Sequence, residues 1–121
     1  MSKHTKELAG KSAGDLKTEE TRLRKELFDL EFTLGRKLVA KKDFAGAERI
    51  FRQIYADAAF DGVGSPGVLL NLGLCLQAQG KFDEAMSFYQ EVVDNPRSDV
   101  AEYRAAALDH LRSARLLQRG T

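Results

Sequence analysis

The sequence of 121 residues has little of the residues that mark several protein classes. It contains one cysteine, two prolines and no tryptophan. A lone thiol, Cys75, excludes a disulfide scaffold and is typical of a reducing compartment. No apolar run resembles a signal peptide or approaches the length of a membrane-spanning helix. These absences predict a cytoplasmic protein that has no membrane partner.

The sequence also has no large excess of positive or negative charge, since its formal net charge is +1. Such a balance by itself implies neither a nucleic-acid partner nor an acidic one. The distribution is uneven, however, because residues 1–42 carry eleven Lys and Arg against seven Asp and Glu. The length predicts a single domain over residues 1–121 with a modest core.

Motifs for catalysis and cofactor binding are weak. Gly62-x-Gly64-x-x-Gly67 matches the dinucleotide pattern GxGxxG, but that loop requires a preceding strand, and here a helical pattern precedes it. We interpret it as a connection. His4 and His110 are too isolated for a metal site, and no arrangement resembles an activated nucleophile. We predict that the protein is not an enzyme and that it binds no cofactor, no metal and no small-molecule substrate.

What the sequence does contain is helical periodicity along its whole length. β-branched residues are sparse, and no alternating strand pattern occurs between turn signals. Ser12 with Asp15 resembles a capping box, and Ser65 before Pro66 is a favoured helix start. Ser98 or Asp99 caps the last helix. Helices are predicted over about residues 12–41, 44–60, 66–79, 82–94 and 101–118.

Two segments share one pattern of small and large residues. In NLGLCLQAQGKFDEAMSFYQEVVDNP, Gly73 and Ala85 are small where two antiparallel helices would cross. Gly35 and Ala47 repeat that spacing 38 residues earlier. Such a hairpin cannot bury its apolar face alone, so copies must stack. A truncated third copy begins at Val100, where Tyr103, Ala106, Ala107 and His110 occupy the packing positions of a first helix.

This pattern resembles the tetratricopeptide repeat family over roughly residues 28–118. The resemblance implies an all-α fold, a short solenoid of antiparallel helix-turn-helix repeats with a long N-terminal helix and a C-terminal closing helix. Because so few repeats are close to the minimum for stability, we expect help from self-association or a bound partner. The implied divisions are a flexible basic tail at 1–11, a helical extension at 12–27, a first repeat at 28–61, a second repeat at 66–99 and the closing helix at 100–118.

The resemblance also implies that the first helix of each repeat lines a concave groove. Phe32, Ala101 and Ala105 stand where clamp-type members carry lysine or arginine, so a carboxylate clamp is not expected. What remains is an apolar strip edged by arginines, which suits an amphipathic helix or an extended apolar segment carrying some acid. The groove residues carried over by position are Phe32, Arg36, Val39, Leu70, Asn71, Leu74, Gln77, Arg104, Leu108, Leu111 and Arg112.

The resemblance thus implies a non-enzymatic module that binds a protein or peptide segment, as an adaptor or scaffold, a chaperone-like holder or an assembly subunit. Alternatively, a neighbouring copy or the N-terminus of the same chain covers the strip. The N-terminal helix has a stripe of its own, formed at heptad positions d, d, a, d, a by Leu16, Leu23, Leu27, Leu30 and Leu34. We expect the stripe to pack on the first repeat or on a partner helix rather than to form a free coiled coil.

The N-terminal third supports a second resemblance. KELAGKSAGDLKTEETRLRKELFDLEFTLGRKL is similar to the opening of the large-subunit ribosomal protein of the L-twenty-nine family, a helical hairpin that lies on ribosomal RNA. This alternative implies a ribosome-associated protein whose repeats add a docking surface. Glu19, Glu20 and Glu26 interleave with the cations, as on an ordinary solvated helix. The RNA-contacting residues would be Lys3, Lys6, Lys11, Lys17, Arg22, Arg24 and Lys25.

Overall fold

The computed structural model describes residues 12–57, 66–95 and 101–120, and within them it contains five α-helices and no strand. The predicted all-α repeat fold is confirmed. The predicted caps at Ser65, Ser98 and Asp99 and the glycines at 62 and 64 lie outside the described residues. The helices are α1 (Ala13–Ala40), α2 (Phe44–Ala56), α3 (Pro66–Ala78), α4 (Phe82–Val93) and α5 (Ala101–Arg119).

The chain divides into two compact units after Leu30. In the first unit, the Ser12 hydroxyl accepts a hydrogen bond from the Asp15 backbone N–H at 3.2 Å. This bond confirms Ser12 as the N-cap of α1. The second unit begins at Glu31 and contains the two helical hairpins and α5.

The end of α2 differs from the prediction. The helix was expected to continue to about Phe60, but it ends at Ala56. Asp57 has φ −63° and ψ 129°, and its N–H reaches back to the Ile54 carbonyl. This extended conformation cannot carry the helical hydrogen-bond ladder further, so the prediction was wrong by about one turn.

A glycine in close contact with an aromatic ring sets the helix spacing in each hairpin. A Cβ placed on Gly35 would lie 2.6 Å from Phe51 Cζ, and one on Gly73 would lie 2.7 Å from Tyr89 Cδ1. Both glycines are buried, and Phe51 and Tyr89 have no exposed surface. The predicted small positions are therefore confirmed, and Ala47 and Ala85, the other two, are fully buried as well.

The main core joins α3, α4 and α5 within the second unit. Leu69, Leu76, Ala85, Tyr89 and Val92 belong to it. α3 packs on α2 and on α4, and α5 packs on α4 and more lightly on α3. Each hairpin thus gains neighbours on the side that it cannot cover itself.

The turn inside each hairpin contains a residue with left-handed backbone. Lys42 has φ 63°, and Gly80, 38 residues later, has φ 79°. Glycine adopts this region freely, whereas a residue with a Cβ does not. The first turn has a compensating feature, since the Asp43 carboxylate accepts a hydrogen bond from the Gly46 N–H at 3.0 Å. Lys81, at the position equivalent to Asp43, makes no such cap.

Glu48 on α2 connects the first hairpin to the second. Its carboxylate accepts hydrogen bonds from Arg52 Nε at 2.7 Å and from Gln79 Nε2 at 2.8 Å, and Lys81 Nζ lies 3.5 Å away. Arg52 also reaches Glu84 on α4 at 2.7 Å. Burial raises the pKa of Glu48, but the hydrogen bonds and the two cations outweigh it and hold the pKa below its ordinary value.

Adding one methyl group at Gly73 tests the close packing. Gly73→Ala should lower the free energy of unfolding by about 2–3 kcal/mol, because the methyl group overlaps the Tyr89 ring. Gly67→Ala is the matched control, since its Cβ would lie 3.5 Å from Phe32 Cζ, an ordinary contact, and it should be neutral or slightly stabilising. Urea unfolding measures both changes. Equal effects of the two substitutions would contradict this account.

Replacing the strained turn residue should stabilise the fold. Lys42→Gly removes a left-handed backbone cost of about 1–2 kcal/mol and adds chain entropy to the unfolded state, so we expect a net gain of about 0.5–1 kcal/mol. The thermal unfolding midpoint should rise. Lys41→Gly in the same turn is the control and should destabilise, because only Lys42 has positive φ among the non-glycine residues described.

Glu48 should make stability depend on pH. Glu48→Gln should cost about 1–2 kcal/mol at pH 7. Because the folded-state pKa is depressed, the difference from the native chain is complete above the ordinary glutamate pKa of about 4.3. It should disappear as the pH falls through the lower, folded-state pKa. Urea unfolding between pH 7 and pH 3 measures this, and a difference that stays constant over that range would refute the role of Glu48.

Candidate protein-binding groove

The predicted groove residues come from α1, α3 and α5, and all lie in the unit that begins at Glu31. The structure sorts them by exposure. Arg36, Leu108 and Arg112 are exposed, and Leu70 and Leu111 are buried. The half-buried members are Phe32, Val39, Asn71, Leu74, Gln77 and Arg104.

Leu70 and Leu111 do not present the surface that was expected of them. They are 8% and 4% exposed and belong to the core shared by α3, α4 and α5. The reason is that α5 packs against both α3 and α4, so Leu70 on α3 and Leu111 on α5 are buried where these helices meet. The apolar part of the groove is correspondingly smaller than the sequence indicates.

Three polar groove residues are engaged within the fold. Asn71 donates its side-chain N–H to the Gly67 carbonyl at 2.7 Å. Gln77 Oε1 accepts the Tyr89 hydroxyl at 2.8 Å, and Arg104 donates to the Asn95 carbonyl. These bonds hold the side chains in place, so the polar part of the surface is preorganised.

The bond from Tyr89 to Gln77 links the groove to the core. Burial raises the pKa of Tyr89 far above its usual range, so the hydroxyl stays protonated and serves as the donor. The Tyr89 ring also stacks on His110, with 5.5 Å between ring centroids and an interplanar angle of 28°. This contact agrees with the packing role predicted for His110.

Two aromatic rings approach the start of α3 from different helices. An ideal Cβ on Gly67 would lie 3.5 Å from Phe32 Cζ and 3.9 Å from Tyr103 Cε1. Phe32 also packs edge-to-face on Phe51, with 5.8 Å between centroids. Tyr103 was assigned to packing, but the structure leaves it exposed. It is therefore a surface residue that the sequence reasoning missed, and the truncated third copy gave no signal for it.

The exposed charges among the predicted groove residues are positive. Arg36 on α1 and Arg112 on α5 are both exposed. Arg112 lies 3.9 Å from Asp109, a loose pair on an exposed surface that contributes little. Exposed guanidinium groups beside apolar side chains favour a ligand that carries carboxylates.

Within the described residues, the structure offers neither a reactive thiol nor a group of metal ligands. Cys75 is fully buried, and burial, with the nearby Glu48 charge, raises the pKa of its thiol to about 11. It is therefore protonated at neutral pH and weakly nucleophilic. Among the described residues, no group of three His, Cys, Asp or Glu side chains is arranged to hold a metal ion.

The predicted RNA-contacting residues fall in the first unit or outside the described residues. Lys3, Lys6 and Lys11 are not described. Lys17 and Lys25 lie exposed on α1. Arg22 pairs with Glu19 and Glu26, and Arg24 pairs with Glu20. The two arginines are thus partly neutralised by neighbouring carboxylates, which weakens their attraction for phosphate.

Comparison with known families agrees with this architecture. The sequence model of the family described as tetratricopeptide repeat matches residues 38–111, more than half of the chain. The protein belongs to the tetratricopeptide repeat family. Neither the search of curated proteins nor that of solved structures returned a match, and the comparisons give the ribosomal resemblance no support.

Membership of the family supports a general role in protein–protein interaction for this tetratricopeptide repeat protein. Such repeats generally mediate protein–protein interaction and are generally non-enzymatic. Within the described residues, no helix combines the length and the apolar character needed to cross a membrane.

Proposed function

We propose that this tetratricopeptide repeat protein binds a segment of a partner protein in the groove formed by α1, α3 and α5. The segment is a helix or an extended strand with apolar side chains and some acidic ones. The protein itself performs no reaction. It acts as an adaptor, a chaperone-like holder or a subunit that assembles with its partner.

The observation that carries the proposal is the partly exposed apolar surface on these helices. Val39, Leu74 and Leu108 keep part of their side chains at the surface, and apolar side chains grouped on a surface mark a partner site. Phe32 and Tyr103 extend this surface beside Gly67. Complete burial of each such side chain contributes about 1–2 kcal/mol, which is enough for a few anchors to support specific binding.

Charge supports the acidic character of the segment. Arg36 and Arg112 place two exposed guanidinium groups on the helices that carry the apolar side chains. They can pair with carboxylates of the ligand and speed its association. The ribosomal alternative has no comparable observation in its favour, because Arg22 and Arg24 already have carboxylate partners.

A pair of leucines on α5 provides a controlled test. Leu108 is 38% exposed and Leu117 is 51% exposed, and nine residues place them on opposite sides of the helix. Leu108→Glu should reduce capture of partner proteins from native extract at least about tenfold, which corresponds to the loss of one buried anchor. Leu117→Glu should leave the captured set unchanged. Quantitative mass spectrometry of the captured proteins measures both.

The control is that both variants keep the helical circular dichroism of the native chain. Arg36→Glu with Arg112→Glu should also weaken capture, and the native interaction should weaken as salt is added. Equal capture by the native chain, Leu108→Glu and the double arginine variant would reject the groove as the binding site.

A further inference from the structure

Equivalent residues of the two repeats differ sharply in exposure. Leu30 and Leu34 on α1 precede Val68 and Leu72 on α3 by 38 residues. Val68 and Leu72 are fully buried, whereas Leu30 is 70% and Leu34 is 46% exposed. Two positions that are buried in the second repeat are therefore exposed in the first, and both are leucines there.

The first helix of the second repeat has a preceding helix packed against it. α2 packs against α3, and Glu48 on α2 bonds to Gln79 just beyond the end of α3. Val68 and Leu72 are among the fully buried residues of α3. Among the described residues no helix precedes α1, so nothing there supplies the same cover for Leu30 and Leu34.

The leucine stripe extends this exposed face through the first unit. Leu16, Leu23 and Leu27 are all exposed and line one shallow hollow on α1. Glu20 and Arg24 also line it, and they pair with each other within α1, on an exposed surface where such a pair contributes little and can exchange partners. Single exposed leucines are common on protein surfaces, but a run at heptad spacing is the pattern of a helix that has a partner helix.

We propose that the partner of this stripe is α1 of a second copy, which lies antiparallel to it and makes the protein a homodimer. The charges along the stripe favour this arrangement. In a parallel pair, Glu20 would face Glu20 of the second copy in the seam, which is the row of a and d positions between the two helices. Glu26 would oppose Glu31 at the flank, which is the row of e and g positions beside the seam. Both juxtapositions are repulsive.

One antiparallel register places unlike charges together. When Leu27 lies opposite Leu30 of the second copy, Leu23 lies opposite Leu34, so that both leucine pairs occur twice by symmetry. In the same register Glu20 meets Lys37 at each end of the seam. α1 runs from Ala13 to Ala40 and therefore includes all these positions.

The flanking positions agree with the same register. Arg24 and Glu31 both occupy heptad position e, where facing residues are offset by two positions from the leucine pairs. At this flank Arg24 therefore lies beside Glu31 of the second copy, again twice. A shift that places Leu23 opposite Leu27 instead brings Glu26 against Glu26 and Arg24 against Arg24, which is repulsive. The sequence of α1 is thus self-complementary in one antiparallel register, which argues for a second copy over an unrelated helix.

Two leucines of matched exposure test the dimer. Leu30 is 70% exposed on α1 and Leu116 is 67% exposed on α5. Sedimentation of the full chain through the micromolar range should show a dimer for the native protein and for Leu116→Glu, and a monomer for Leu30→Glu. Circular dichroism verifies that each variant remains helical.

A charge exchange tests the antiparallel register without touching an apolar residue. Glu20→Lys or Lys37→Glu alone should weaken dimerisation about tenfold, because two symmetric ion pairs become repulsive. The double variant should restore it. In a parallel dimer each of these positions faces its own copy, so like charges meet in the native chain and in every variant, and none of the substitutions would change dimerisation much. Both residues are exposed, so neither substitution disturbs the core.

Three results would overturn the proposal. The first is a native chain that stays monomeric through the micromolar range, as expected if residues 1–11 or a different protein cover the stripe. The second is a dimer that survives Leu30→Glu. The third is a double charge variant that remains as weak as its single variants. The groove substitutions Leu108→Glu and Arg112→Glu should leave dimerisation unchanged, so a failed dimer test leaves the groove proposal intact.

Discussion

The fold depends on an aromatic ring that packs where a glycine has no side chain. Phe51 meets Gly35 in the first hairpin, and Tyr89 meets Gly73 in the second. Without a Cβ, the two helices of each hairpin approach closely enough for the ring to fill the space between them. The Tyr89 hydroxyl then bonds to Gln77, so the same contact that closes the core also fixes a residue on the groove surface. Packing and the proposed binding surface are thereby coupled in the second repeat.

The two repeats use the same positions in different surroundings. α3 has helices to pack against on both sides, and its apolar residues are buried on both. α1 carries leucines at the positions equivalent to Val68 and Leu72 but leaves them exposed. Exposed leucines at these positions are the physical basis of the proposed dimer.

The sequence was sufficient for the architecture because the spacing of small and large residues is local information. It placed Gly35, Ala47, Gly73 and Ala85 in the interhelical contacts, and the structure buries all four. It could not place the Glu48 network, which joins residues more than thirty positions apart. Nor could it show that the packing of α5 buries Leu70 and Leu111 while Tyr103 stays exposed, since positions carried over from a family do not include the packing of a truncated repeat.

The most direct test of the fold is the contact between glycine and ring, observed by NMR in the native chain. Nuclear Overhauser cross-peaks should join an Hα proton of Gly73 to the Tyr89 ring protons and an Hα proton of Gly35 to the Phe51 ring protons. Gly80, where an ideal Cβ would have no neighbouring atom within 4 Å, should show none to any ring. Absence of both predicted cross-peaks in well-resolved spectra would contradict the nested hairpins on which the groove rests.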